Sequence, residues 1–317
     1  MSPSDTTIEA MRQFLKHQFS LNGSIPLAEL RRQREFVYTL HPELVDFVRD
    51  HRQAVIEVIR TELTDTEAAS QHGLLRDFLL HIQAFIYKNN QFITFTAPEK
   101  TALIRLYADY MREMLVLLES MIETDFGSAF EGVVMNHLVA LQAYVITLAA
   151  GRRQMDALID KEVMCAEYSA ELQLSVLNID IATLSEPILD VGCGVHGTLV
   201  RYLRAAKLDA YGIDRLVHAS PYLTEIDWLQ MDFSVTAWGT IVSHMAFSNH
   251  FIFHHHSRDG VPDAFARQYM AMLRSLNVGG SLYYAPSLPF IEQFIPNSFT
   301  VVAHSGQFSS TQIVKLR

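Results

Sequence analysis

Residues 187–197, Pro-Ile-Leu-Asp-Val-Gly-Cys-Gly-Val-His-Gly, constrain this chain more than any other segment. Ile188 to Val191 read as a short buried strand. Glycines at 192, 194 and 197 then let the backbone turn sharply and come close to a ligand or a neighbouring element. Thr198 to Ala206 follow as a helix. A strand passing through a glycine turn into a helix opens a βαβ unit, which needs a parallel partner strand and a right-handed crossover. The residues downstream supply both. Ala210–Asp214 reads as a second strand, Trp228–Met231 as a third and Thr240–Ser243 as a fourth. Ala264–Leu276 reads as a helix, Gly280–Ala285 as a fifth strand, and Phe299–Ala303 with Thr311–Leu316 as a closing hairpin. The expected fold class is α/β, a mostly parallel Rossmann-like sheet that binds its ligand outside the carboxyl ends of the strands.

Upstream of residue 180 the grammar changes to helix after helix, so the expected division is a helical domain over 1–180 and an α/β domain over 181–317. Leu103, Leu106, Tyr107, Tyr110, Met114, Leu117, Leu118 and Met121 fall at helical spacing, with Thr96, Pro98 and Glu99 as a start signal. Val133–Ala150 carries no charge. Asn136, His137 and Gln142 inside it favour a buried helix over a membrane span, because polar groups are costly in lipid. Gly151 is expected to end it, and a further helix to run from Gln154 to Leu177. With 49% hydrophobic and 19% charged residues, the chain has material for packed cores. Its 25 Lys and Arg against 35 Asp and Glu give a net charge of −10. That balance argues against a nucleic-acid partner, which needs clustered cations, and for a small molecule. Cys165 and Cys193 suffice neither for a disulfide framework nor for a four-cysteine zinc site, and the first residues lack a basic-then-apolar leader. The expected setting is cytoplasmic, with no membrane partner.

Three acids punctuate the α/β part. Asp190 lies in the first strand, Asp214 closes the second, and Asp232 follows the expected third in Leu229-Gln230-Met231-Asp232-Phe233. With the Asp-Val-Gly-Cys-Gly order, these residues resemble the class I S-adenosylmethionine-dependent methyltransferase superfamily over about residues 186–317. The resemblance implies a seven-stranded sheet with one reversed strand, and S-adenosylmethionine as cofactor. It places the methionine part of the cofactor by Asp190, Gly192, Cys193, Gly194 and Gly197. Asp214 would accept the ribose hydroxyls, and Asp232, beside Phe233, an adenine amino proton. A GxGxxG run also describes the nicotinamide-dinucleotide fingerprint; the acid just before the first glycine favours S-adenosylmethionine. Two features depart from the usual pattern: Gly197 stands three residues after Gly194, and Ser243–His250 contains no acid and no Asn-Pro-Pro cluster.

The helical N-terminal part reads as a lid or a dimerisation element, which admits a homodimer. In size and layout the chain is similar to nicotianamine synthases and azetidine-2-carboxylate synthases, which use the aminocarboxypropyl arm of S-adenosylmethionine. That similarity implies cyclisation to azetidine-2-carboxylate with release of methylthioadenosine. Methyl transfer to a small molecule is the alternative, and non-catalytic binding a third. Candidate catalytic residues are Tyr168, as an aromatic face for the sulfonium, Asn136 and Tyr87 from the helical part, and Ser243, with Ser248, after the fourth strand. His250, His254, His255 and His256 read as a solvated loop rather than a metal site, and no GxSxG elbow occurs.

Overall fold

The computed structural model describes residues 3–22, 38–93, 95–120, 125–150, 168–258, 260–305 and 309–317. They fall into two units, Met1–Cys165 and Ala166–Arg317. The first consists of α1 (Pro3–Asn22), α2 (Pro42–Asp50), α3 (Arg52–Thr64), α4 (Thr66–His72), α5 (Leu74–Asn89), α6 (Ala97–Glu119) and α7 (Phe126–Ala150). α6 starts where its sequence predicts. Thr96 and Glu99 close a capping box that satisfies orphan N–H groups reciprocally, and Leu103, Tyr107, Met111, Met114 and Leu118 form its buried side. α5 has no such signal of its own. Its first turn is capped from α3, where the buried Glu62 carboxylate accepts the N–H groups of Leu74 and Leu75 at 2.8 and 3.0 Å. Gly73 makes this possible, since a Cβ there would lie 2.3 Å from that carboxylate. A negative charge at a helix N-terminus is also favoured by the helix dipole.

α7 is not the buried helix expected of an uncharged segment. Phe126, Phe130, Val134, Leu141, Val145 and Leu148 turn inward, while Gly132, Asn136, Val139, Ala140, Ala143 and Ile146 are exposed. Within the apolar span Phe126–Leu148, only 22% of an 18-residue window is buried, and among the described residues this is the one helix long and apolar enough to cross a membrane. Absence of charge does not mean burial here: from residue 133 on, the outer side carries Asn136, small alanines and the exposed apolar side chains of Val139 and Ile146.

The second unit contains α8 (Ala170–Leu177), β1 (Ile188–Val191), α9 (Thr198–Ala205), β2 (Ala210–Asp214), β3 (Leu223–Glu225), β4 (Trp238–His244), α10 (Phe247–His256), α11 (Pro262–Ser275), β5 (Leu276–Ala285), α12 (Pro289–Glu292), β6 (Phe299–His304) and β7 (Ser310–Lys315). The seven strands run in the order β3-β2-β1-β4-β5-β7-β6. β1 to β5 are parallel, and β7 is antiparallel to both β5 and β6. One side of the sheet packs on α8 and α9 through Leu174, Leu177, Leu199 and Leu203. The other packs on α10 and α11 through Phe247, Phe251, Phe265 and Tyr269. β6 lies at the sheet edge with Thr300 to Ala303 exposed.

Three expectations need correction. The third strand is Leu223–Glu225, not Trp228–Met231, which forms turns; Asp227 accepts the Leu229 N–H and starts them. The boundary between units lies at residue 165, not 180. α8 belongs to the sheet unit because its apolar side covers β4, β5 and β7. The Gln154–Leu177 helix is not continuous at its C-terminal end: Ser169 N-caps α8 by accepting the Leu172 N–H. Residues 154–167 lie outside the described residues, as does the expected stop at Gly151.

His137 on α7 gives the first unit a pH dependence. Its ring sits against Tyr107 and Tyr110, with centroids 4.6 and 4.5 Å away, and its buried Nδ1 has no hydrogen-bond partner. Burial lowers its pKa to about 4. The unfolded chain takes up this proton near pH 6.5, so between about 6.5 and 4 the unfolded state binds more protons and stability falls as pH falls. His137→Phe keeps the ring contacts and removes the titration. Its denaturation midpoint should fall less than wild type over that pH range in parallel urea titrations.

Candidate active site

β1 runs into a loop of left-handed glycines, with φ of +85° at Gly192, +74° at Gly194 and +58° at Gly197. Two of them also answer to the protein's own packing. A Cβ on Gly192 would lie 2.3 Å from the Ala246 Cβ and 3.0 Å from the Trp228 ring, and one on Gly197 would lie 2.7 Å from a Leu223 methyl. At Gly192 and Gly197 the missing side chain therefore makes room for the protein's own packing, not for a ligand as the sequence suggests. Cys193 also departs from its expected role. It is buried, its Sγ fills the space beside Gly212, and its side chain belongs to the core.

Asp214 holds this loop in place. Its two carboxylate oxygens accept the Gly194 N–H at 3.2 Å and the Leu216 N–H at 2.9 Å. The carbonyl of Ile213 accepts the Gly192 and Cys193 N–H groups as well. Asp232 sits beyond the Trp228–Met231 turns, is exposed, and accepts the Ser234 N–H and hydroxyl at 2.9 and 2.6 Å. These bonds, the hydroxyl first, hold its carboxyl below the usual range. Phe233 is 1% exposed within the core beside Trp228 and Phe265; it packs the sheet and presents no face to a ligand.

Asp190 is the anomaly. It is 1% exposed in an interior strand, and neither carboxylate oxygen has a hydrogen-bond partner among the described residues. Burial, and next the charge of Asp214, push its pKa up to about 8. Lost hydration without a compensating bond disfavours the charged form.

At the end of β4, the hydroxyl of Ser243 donates to the Val191 carbonyl at 2.8 Å and accepts the Phe247 N–H at 3.1 Å. The hydroxyl of Ser248 donates to the Ala285 carbonyl. Both serines are buried fasteners of strand ends, not the substrate contacts expected of them. The next residue, His244, passed over by sequence reasoning, lies with its ring edge-on to Tyr168, centroids 5.1 Å apart. Tyr168 is 39% exposed just before α8. The signal for His244 was its place as last residue of β4, which ending the strand at Ser243 concealed. Asn136 and Tyr87 belong to the first unit. Asn136 is exposed and donates to Glu113 at 3.4 Å, while Tyr87 is buried edge-on to Phe95. The expected histidine loop is α10 instead. His250 is buried against Trp228, His254 against Phe265, and exposed His255 stacks on Phe290 at 4.0 Å. No group of three metal-ligating side chains occurs among the described residues.

No family model matches the chain, and no curated protein does. Solved structures do. An rRNA methylase from Streptococcus thermophilus is 14% identical over 48% of this chain and 99% of its own, with a TM-score of 0.33. The N-methyltransferase NodS from Bradyrhizobium japonicum WM9, in complex with S-adenosyl-L-homocysteine, is 13% identical over 46% and 87%, with a TM-score of 0.35. An O-methyltransferase family protein from Burkholderia thailandensis is 11% identical over 88% and 99%, with a TM-score of 0.32. The fold of the second unit is defined by its own strand order and register.

The loop's dependence on Asp214 and Gly192 can be measured without any ligand. Asp214→Ala removes two charge-assisted bonds to backbone N–H groups and should destabilise the second unit by about 1.5–3 kcal/mol. Gly192→Ala forces a side chain into a left-handed backbone against Ala246 and should cost at least about 2 kcal/mol. Chemical denaturation of both variants, followed by the fluorescence of Trp228 and Trp238, reads the two losses.

Proposed function

We propose that the second unit binds S-adenosylmethionine at the carboxyl ends of β1, β2 and β4, and that the chain transfers a carbon group from its sulfonium to a small molecule or within the cofactor itself. The observation that carries this reading is Asp190. A buried carboxyl group with two unpartnered oxygens, under a glycine loop, suits a cationic ligand. S-adenosylmethionine has two positive centres, a sulfonium and an ammonium. A nicotinamide dinucleotide would bring a pyrophosphate to the same loop, where its negative charge gains nothing from Asp190 and opposes ionisation of that carboxyl still further. The antiparallel β7 within a 3-2-1-4-5-7-6 sheet supports the same reading, because the resemblance implies a seven-stranded sheet with one reversed strand. Asp214, at the carboxyl end of β2 beside the glycine loop, suits the ribose hydroxyls, and exposed Asp232 an adenine amino group.

The sulfonium makes its three neighbouring carbons electrophilic. We propose the aminocarboxypropyl arm as the transferred group, closing on its own nitrogen to give azetidine-2-carboxylate and methylthioadenosine. Support comes from the end of β4, where Ser243 and Ser248 are committed to backbone and the segment Ser243–His250 contains no acid to hold an external amine. A part-exposed Tyr168 ring there suits a sulfonium by cation–π attraction. The acidic balance and the few cysteines support a small-molecule enzyme of the cytoplasm. Incubation with S-adenosylmethionine alone decides between products: methylthioadenosine supports the arm, and S-adenosylhomocysteine formed only with an added acceptor supports methyl transfer.

Two outcomes test Asp190 itself. At pH 7 its carboxyl, with a pKa of about 8, is mostly protonated. A bound cation favours the charged form, so binding should release close to one proton, measurable by calorimetry in buffers of different ionisation enthalpy. The folded pKa lies above the unfolded value near 3.9, so Asp190 costs stability increasingly as pH rises from about 4 to 8. Asp190→Asn should therefore raise the ligand-free protein's stability by roughly 2–4 kcal/mol at pH 8 and weaken S-adenosylmethionine binding at least about tenfold. Unchanged affinity would remove Asp190 from the site.

A further inference from the structure

β4 ends on a histidine that the reading above leaves without a role. Asp190 pairs with Val242 in the sheet register, so His244 stands two residues further along β4 on the same face as Asp190, about 7 Å nearer the carboxyl edge. Val242 on that face packs in the cluster with α8, and Tyr168 immediately precedes α8. The His244 residue is 7% exposed, and its buried Nε2 has no hydrogen-bond partner. The Tyr168 ring meets its ring at an interplanar angle of 77°. Desolvation lowers the imidazole pKa to about 4, so the ring is neutral at pH 7. With its proton on the buried Nε2, it presents the Nδ1 lone pair. Ser243 and Ser248, the neighbouring hydroxyls, are both committed to backbone groups. Among the described residues, His244 is thus an uncommitted proton acceptor at this end of β4.

We propose that His244 takes the proton of the attacking nucleophile, and that this nucleophile carries hydrogen on nitrogen or oxygen. The inference rests on the S-adenosylmethionine reading. The heteroatom's lone pair forms the new bond to carbon, the carbon–sulfur bond breaks with its electron pair going to sulfur, and the heteroatom's proton passes to Nδ1. The sulfonium's positive charge thereby ends on the imidazolium and leaves it to solvent. A weak base suffices, because bond formation turns the heteroatom into a far stronger acid than it was before attack. A thioether or a carbanion nucleophile brings no proton and has no use for this residue.

The test reads position and proton transfer separately. In protein labelled with ¹³C and ¹⁵N at histidine, with the His244 ring assigned by its loss in His244→Gln, S-adenosylmethionine and S-adenosylhomocysteine should shift that ring differently, since they differ by one charge at sulfur. Tyr168→Phe keeps the edge contact and should preserve the difference. By calorimetry His244→Gln should bind S-adenosylmethionine within threefold of wild type, while methylthioadenosine formation from S-adenosylmethionine alone falls by about a hundredfold or more. Identical ring shifts with the two ligands overturn the inference, and so does a Gln variant turning over within fivefold of wild type. If wild type binds the cofactor but yields no methylthioadenosine, cyclisation is wrong and the ring shifts alone decide the place of His244. If wild type binds neither ligand, the cofactor reading fails, and this inference with it.

Discussion

A carboxyl group sealed into an interior strand of a sheet, with no donor among the described residues to meet it, is the constraint around which the second unit is organised. Asp190 contributes nothing to holding the loop that follows it. That work falls to Asp214 and the Ile213 carbonyl at the end of β2, and to Ser243 at the end of β4, which bonds back to Val191. The loop is thus clamped from both flanking strands while the strand it grows from carries an uncompensated polar group. Asp214 steadies the loop and at the same time, by its charge, makes ionisation of Asp190 harder. Buried polar groups of this kind are rare enough in folded proteins to call for an explanation, and a cationic ligand supplies one.

Much of the fold was legible because the strong elements carry period and punctuation. β1, β2, β5 and the closing hairpin were bounded by glycines or acids, and α6 announced itself with Thr96, Pro98 and Glu99. β3 was missed because three residues, Leu223-Thr224-Glu225, give no period, whereas the bulkier Trp228–Met231 looked more strand-like. Trp228 is buried for a different reason: it packs over the glycine loop. The Glu62 cap on α5 joins residues of different helices and left no local mark.

The candidate site was legible in its backbone and less so in its side chains. Asp190, Asp214 and the left-handed glycines follow from a strand, a turn and a helix in sequence. Cys193 and Phe233 alternate with them, and which face each takes depends on the sheet's two helical layers. Ser243 and Ser248 illustrate the same limit: a hydroxyl at a strand end looks available until its backbone partners, from β1 and β5, are in place. His244 was hidden by one residue of strand length.

The position of β7 has a consequence for how the chain is made. This strand, Ser310–Lys315, lies between β5 and β6, which precede it in sequence. Until residues 310–315 have left the ribosome, β5 lacks its outer neighbour and β6 has nothing to pair with. The helical unit, encoded first and built largely of local contacts, can fold early in synthesis. The sheet unit cannot complete its hydrogen-bonding ladder until the final strand is threaded in, so Tyr283, Tyr284 and Ile313 stay open to solvent and chaperones until that last step.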